Sequence, residues 1–266
     1  MNRRLSKTLG TIFLLLELAI VPKALELMLD QHFSELPPLR IVALAMTFGS
    51  IALCILLSFS ALSDNDSYPR HSFLFELMVF VCCIAPMTDL VTKALEAAEK
   101  PGWNMAVNSA FYLAGSLIAY LILRYELLIV GEEKSPALKK RRRIASALML
   151  LHTAAVLLNV PFGFFFTITE SGAYRSAPTF GLAFAVPAAL ILLTVFTAAK
   201  EMPRGRQQRA FFFFWIFAIL SSLLQVWREE LSVQYTGYTL TLIVIYLNIQ
   251  SELDASREDA PDKENA

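Results

Sequence analysis

Charge is scarce in this chain. Of its 266 residues 17% are Asp, Glu, Lys or Arg and 56% are hydrophobic, whereas an average soluble domain is about a quarter charged. That balance argues against a soluble fold and for a membrane protein. The formal net charge is zero, so no strongly acidic or basic partner is implied. What carries information is where the charges fall, because in a membrane protein their asymmetry reports orientation. Cysteine is scarce as well. Cys54, Cys82 and Cys83 all lie inside apolar segments, which excludes an extracellular disulfide framework and leaves them as packing residues.

Motifs for catalysis are also missing. There is no H-E-x-x-H, no G-x-S-x-G, no phosphate-cradling G-x-x-x-x-G-K-[ST], and no cysteine and histidine set with metal spacing. No enzyme activity, cofactor or metal is expected. The last two apolar segments contain no lysine for a retinal Schiff base. No tandem repeat of 20 to 50 residues is visible, and the first four segments do not resemble the last four, so an inverted-repeat transporter has no support.

What is present is a series of long apolar segments. A spanning helix needs about 20 mainly apolar residues, and eight stretches approach this: 8–29, 39–62, 72–93, 103–130, 144–168, 179–199, 210–229 and 234–250. The expected fold is therefore all-α, a polytopic membrane helix bundle of about eight transmembrane helices. Its parts would be an anchor helix in residues 1–38, a seven-helix module in 39–250 and an acidic, disordered cytoplasmic tail in 251–266. The first segment follows Arg3, Arg4 and Lys7 like a secretory signal. Pro22, Lys23 and Glu26 stand where a small-residue cleavage site belongs, which favours an uncleaved anchor.

With the amino terminus inside, sixteen basic residues fall on inner connectors, including the KKRRR run at 139–143, and five on outer connectors and their edges. This bias places both termini in the cytoplasm of a cell membrane. The KKRRR run reads as a topology determinant, with anionic lipid headgroups as its alternative partner. Nucleic acid has no support beyond that run.

Ionisable groups in hydrocarbon must face a partner, a cavity or the interface. Glu17, Lys23 and Glu26 share the first segment, and Lys23 and Glu26 are spaced to pair on one helix face. Glu76, Arg124 and Glu126 lie near inner ends, where long side chains snorkel to water. His152, in the fifth segment, reads as a hydrogen-bonded bundle histidine, with proton sensing as the alternative. Pro86, Pro161 and Pro187 are expected to bend their helices.

A second polar group comes from four segments at one level. At 1.5 Å per residue, Asp89 lies about 26 Å up the third segment, Asn159 and Gln225 about 22 Å up theirs, and Asn108 about five residues in from outside. With Trp103, Tyr174, Trp227 and Arg228 at the rim, these residues are expected to line an outward-facing pocket. Interhelical hydrogen bonds that tie the helix ends together are the alternative.

The carboxy-terminal half, in LLNVPFGFFFTITESGAY at 157–174, RSAPTFG, KEMPRGRQQR and LLQVWREELSVQYTGYTLTLIVIYLNIQ at 223–250, resembles the multi-span input modules of bacterial GGDEF-type diguanylate cyclases and related signalling proteins. By position, Asn159, Pro161, Gly163, Gly172 and Tyr174 correspond to one element of that pattern, and Gln225, Gly237, Tyr246 and Gln250 to another. Such modules typically have seven spans with the amino terminus outside, so the resemblance implies that the first segment is an addition and leads to the expectation of a stand-alone module without an output domain. The resemblance implies a receptor-like sensor for an extracellular or lipid-phase ligand that signals through a separate cytoplasmic or membrane protein. A transporter or permease component is the runner-up, and a ligand-free scaffold the third expectation.

Overall fold

The structure is a computed structural model that describes residues 3–29, 38–63, 69–131, 135–202, 205–227 and 233–258. About 87% of these residues are helical. Eight helices follow in order: α1 (Arg3–Leu29), α2 (Pro38–Ser63), α3 (Pro69–Ala97), α4 (Pro101–Val130), α5 (Pro136–Phe162), α6 (Ala185–Glu201), α7 (Arg206–Trp227) and α8 (Gln234–Glu258). Between α5 and α6 stand two short strands, β1 (Phe166–Ile168) and β2 (Tyr174–Ser176), and a 3-10 turn at Phe180–Phe184.

Proline and glycine set the boundaries. α2, α3, α4 and α5 each begin at proline, whose fixed φ suits a first turn that has no use for its missing N–H. α4 and α5 stop at Gly131 and Gly163, which take left-handed φ values of 82° and 65°; this conformation costs glycine no Cβ clash and turns the chain out of the helix. Pro161 sits in the last turn of α5, and Gly163 ends the helix.

Five helical stretches among the described residues are long and apolar enough to cross a membrane: Ile41–Leu62, His71–Thr88, Pro101–Val130, Pro136–Phe162 and Phe180–Glu201. α7 adds a shorter apolar stretch, Ile216–Trp227. The apolar surface itself points to lipid. On α5 only the narrow stripe Leu138, Arg141, Ala145, His152, Val156 and Asn159 is buried, while Leu150, Leu151, Leu157, Leu158 and Phe162 are exposed. Water would not tolerate so continuous an apolar face.

The core forms where α3 packs on α1, α2 and α4, and where α6 packs on α4. Phe75, Met78, Val79, Cys82 and Cys83 recur at helical spacing on α3 and are all buried. All three cysteines are buried and free of disulfides. α7 and α8 pack closely, because a Cβ on Gly237 would meet the Ser221 side chain and the Phe217 carbonyl. Such small-residue contacts let two helix backbones approach. α8 continues to Glu258, so part of the stretch expected as a disordered tail is helical; residues 259–266 lie outside those described.

Candidate functional site

Asn159 organises the segment after α5. Its side chain is wholly buried, with Nδ2 donating to the Phe166 carbonyl at 3.1 Å. Its Oδ1 accepts from the N–H groups of Phe165 at 2.6 Å and Phe166 at 3.3 Å. The Gly163 N–H returns to the Asn159 carbonyl at 2.8 Å. A buried backbone needs all its polar groups paired, and one asparagine supplies three of those bonds to a chain that has just left its helix.

The chain then forms a hairpin where the sequence suggested only a loop. β1 and β2 pair antiparallel, with Phe166 opposite Ser176 and Ile168 opposite Tyr174. Gly172, at φ 85°, permits the turn, and its N–H reaches the Thr169 carbonyl at 2.9 Å. The tip rests on the α3–α4 connection, with an added Cβ on Gly172 lying 3.5 Å from Glu96, Glu99 and Lys100 backbone atoms. Asn104 Nδ2 donates to the Gly172 carbonyl at 2.6 Å. Asn108 Nδ2 in turn donates to the Asn104 side-chain oxygen at 2.8 Å and its carbonyl at 2.9 Å. Asn108 thus fixes which way the Asn104 amide faces.

Aromatic rings close the remainder. Phe166 stacks between Tyr112 and Tyr174, with centroids 5.2 Å and 5.5 Å away. The Tyr112 and Tyr174 hydroxyls share a hydrogen bond at 2.7 Å. Phe180 and Phe184 meet the Tyr112 ring edge-on, and His152 Nε2 lies 3.3 Å from the Tyr112 carbonyl. Asn108, Asn159, Tyr174 and His152 therefore converge on one structure, a cap over the ends of α4 and α5. The arrangement presents amides, phenols and aromatic faces, which recognise by hydrogen bonding and stacking.

Gln225 belongs to a second cluster. Its Oε1 accepts from the Gln234 N–H at 3.1 Å, capping the first turn of α8. Gln234 Nε2 reaches the Tyr238 hydroxyl at 3.3 Å, and the Tyr235 hydroxyl donates to the Phe111 carbonyl. The two clusters approach α4 at adjacent residues, Phe111 and Tyr112. Trp103 and Trp227 are exposed at helix ends. Asp89 lies on α3, but its side chain, like that of Lys23, falls outside those described, and Arg228 falls outside the described residues altogether.

Asn104, Tyr112 and Phe166 were absent from the expected site. Asn104 and Asn108 stand four apart on one helix, which is the available signal for a side-chain pair.

In the half of the helices remote from the hairpin, acidic groups expected to snorkel are instead buried. Glu76 is 1% exposed and Glu126 is 0% exposed. Arg141, a member of the KKRRR run, turns inward, pairs with Glu201 at 2.8 Å and lies over the Phe196 ring. Its Nη1 and both Glu126 oxygens have no hydrogen-bond partner among the described residues.

The chain matches no protein-family model, no curated protein and no solved structure.

Proposed function

We infer that this protein is an eight-span membrane receptor of the sensor type, with both termini in the cytoplasm and the hairpin on the outer side. Five apolar helices support the membrane setting. α1, α7 and α8 complete the count, since α1 packs on α2 and α3, and α8 on α7 and α2. The excess of basic residues on the opposite connectors supports the orientation, and the cell membrane is the location this implies.

One observation carries the receptor reading. The hairpin is held by side chains of two separate helices, through Asn104 to Gly172, Asn159 to Phe165 and Phe166, and Tyr112 to Tyr174. A ligand that competes for these amides and phenols, whether a small molecule, a lipid or a peptide, loosens the cap and releases α4 and α5 from one another. A separate signalling protein reads the change at their far ends, as the resemblance to sensor modules suggests. A ligand acts only through its different affinity for the two states.

Native mass spectrometry of the full chain in lipid nanodiscs tests this. A bound small molecule or lipid should accompany the wild type and be lost in Asn108→Ala and Tyr174→Ala at unchanged membrane expression. A ligand that survives both substitutions contradicts the reading. The transporter alternative draws on the buried carboxylates Glu17 and Glu126, since such groups in membrane helices mark ion pathways. Net substrate flux in proteoliposomes would favour it.

A further inference from the structure

Away from the cap, a polar seam runs between α1, α2 and α8. On α2, Ser50, Cys54 and Ser58 recur at every fourth residue and share one helix face. Ser50 Oγ donates to Thr236 Oγ1 at 2.9 Å, and Cys54 Sγ meets Thr239 Oγ1 at 3.6 Å. Ser58 Oγ donates to Glu17 Oε1 at 2.9 Å. The seam spans about 12 Å along α2, and its last member is a carboxyl group.

Glu17 sits in the middle of α1 and is 0% exposed. One of its oxygens is held by Ser58, while Oε2 has no hydrogen-bond partner among the described residues. Glu76 of α3 lies against Gly10, where any Cβ would collide with its carboxyl. Gly10 precedes Glu17 by two turns on the same face of α1, a face that meets Glu76 of α3 and Ser58 of α2. The two carboxyls interact electrostatically. Among the described residues, the titratable groups that interact with Glu17 are Glu76 and the thiols Cys54 on α2 and Cys82 and Cys83 on α3, all of them acids.

A carboxyl in this setting has one inexpensive occupant. A cation would need several oxygen ligands, whereas the described oxygens around Glu17 are those of Ser58 and Glu76, and its other titratable neighbours are thiols. A proton removes the charge from the buried group and turns Glu17 Oε2 into a hydroxyl donor. We propose that Glu17, with Ser58 as hydrogen-bond donor and Glu76 as the neighbouring carboxyl, forms a proton-binding site within the helices. The site rests on packing and not on the receptor reading, so either can fail alone.

The full-length protein in lipid nanodiscs provides the test. Dicyclohexylcarbodiimide enters hydrocarbon and reacts with a protonated carboxyl: the acid proton moves to a carbodiimide nitrogen, the carboxylate oxygen adds to the central carbon, and the adduct rearranges to an N-acylurea. Mass spectrometry of the wild type should find the label on Glu17, with a yield that falls about tenfold per pH unit once the site deprotonates. An absent label, or one independent of pH, overturns the proposal. As an independent readout, the pH-dependent carboxyl band in infrared difference spectra should disappear in Glu17→Gln, which keeps an acceptor for Ser58, and persist in Glu126→Gln. A band unchanged in Glu17→Gln overturns the proposal equally.

Discussion

At the hairpin end, buried polar groups are engaged: the amides of Asn104, Asn108 and Asn159 each hold a partner. Away from the hairpin they are only partly so: Ser58 reaches Glu17 and Arg141 reaches Glu201, while Glu17 Oε2, both Glu126 oxygens and Arg141 Nη1 lack hydrogen-bond partners among the described residues. Leaving a buried donor or acceptor without a partner costs about 1–3 kcal/mol. A satisfied network serves to fix one conformation, whereas buried ionisable groups without partners mark candidate sites of exchange. The contrast assigns a closed resting conformation to the cap and proton exchange to the other group. Ligand response at the cap then requires breaking bonds that already exist.

Substitutions can break or sharpen this contrast, and the largest effect belongs to the cap. Asn159→Ala removes three hydrogen bonds to buried backbone and should destabilise by about 3 kcal/mol in thermal unfolding of the detergent-solubilised protein. A loss below about 1 kcal/mol would show that the cap is not held as described. In the remote half the sign reverses. Glu126→Gln removes an ionisable group buried without hydrogen bonds among the described residues and should stabilise by about 1 kcal/mol in the same measurement, since folding then no longer has to desolvate or neutralise a carboxylate. Destabilisation of that size would mean that Glu126 has the satisfied role found at the cap.

Smaller changes refine the picture. Tyr174→Phe deletes one hydroxyl bond to Tyr112 while preserving the stack on Phe166, and should cost slightly less than about 1 kcal/mol. Trp227→Ala, at a position 74% exposed, should change stability by less than about 0.5 kcal/mol. A larger loss would give the rim a structural part that the cap alone is expected to play.

Much of the helical framework was legible in the sequence, because length and apolarity suffice to mark a spanning segment. The segment at 103–130 corresponds to Pro101–Val130 with a two-residue offset. α5 is harder to read. It begins at Pro136 and carries the charged KKRRR run within its first two turns, where apolar content gives no warning of a helix. The hairpin escaped notice because three residues per strand are too few to show alternation. It is held by Asn159 from the end of α5 and by Asn104, which is distant in sequence.

Position along a helix groups Asp89, Asn108, Asn159 and Gln225 with Tyr174 at the rim, and the structure brings Asn108, Asn159 and Tyr174 to one cap. Azimuth was not legible. Glu76 and Glu126 lie near helix ends as expected, yet each faces a neighbouring helix and is buried. A single sequence does not reveal which side of an apolar helix meets another. Of the expected site residues, Gln225 serves the start of α8, since position along a helix does not tell which neighbour a side chain meets.

The most direct measurement is hydrogen–deuterium exchange at the Phe165 and Phe166 amides of the full-length protein in lipid nanodiscs. Both amides donate to Asn159 Oδ1, so their protection reports the closed cap itself. Slow exchange in the wild type that becomes fast in Asn159→Ala is the predicted result. Fast exchange in the wild type, or protection that survives Asn159→Ala, would contradict a cap held shut by its own side chains.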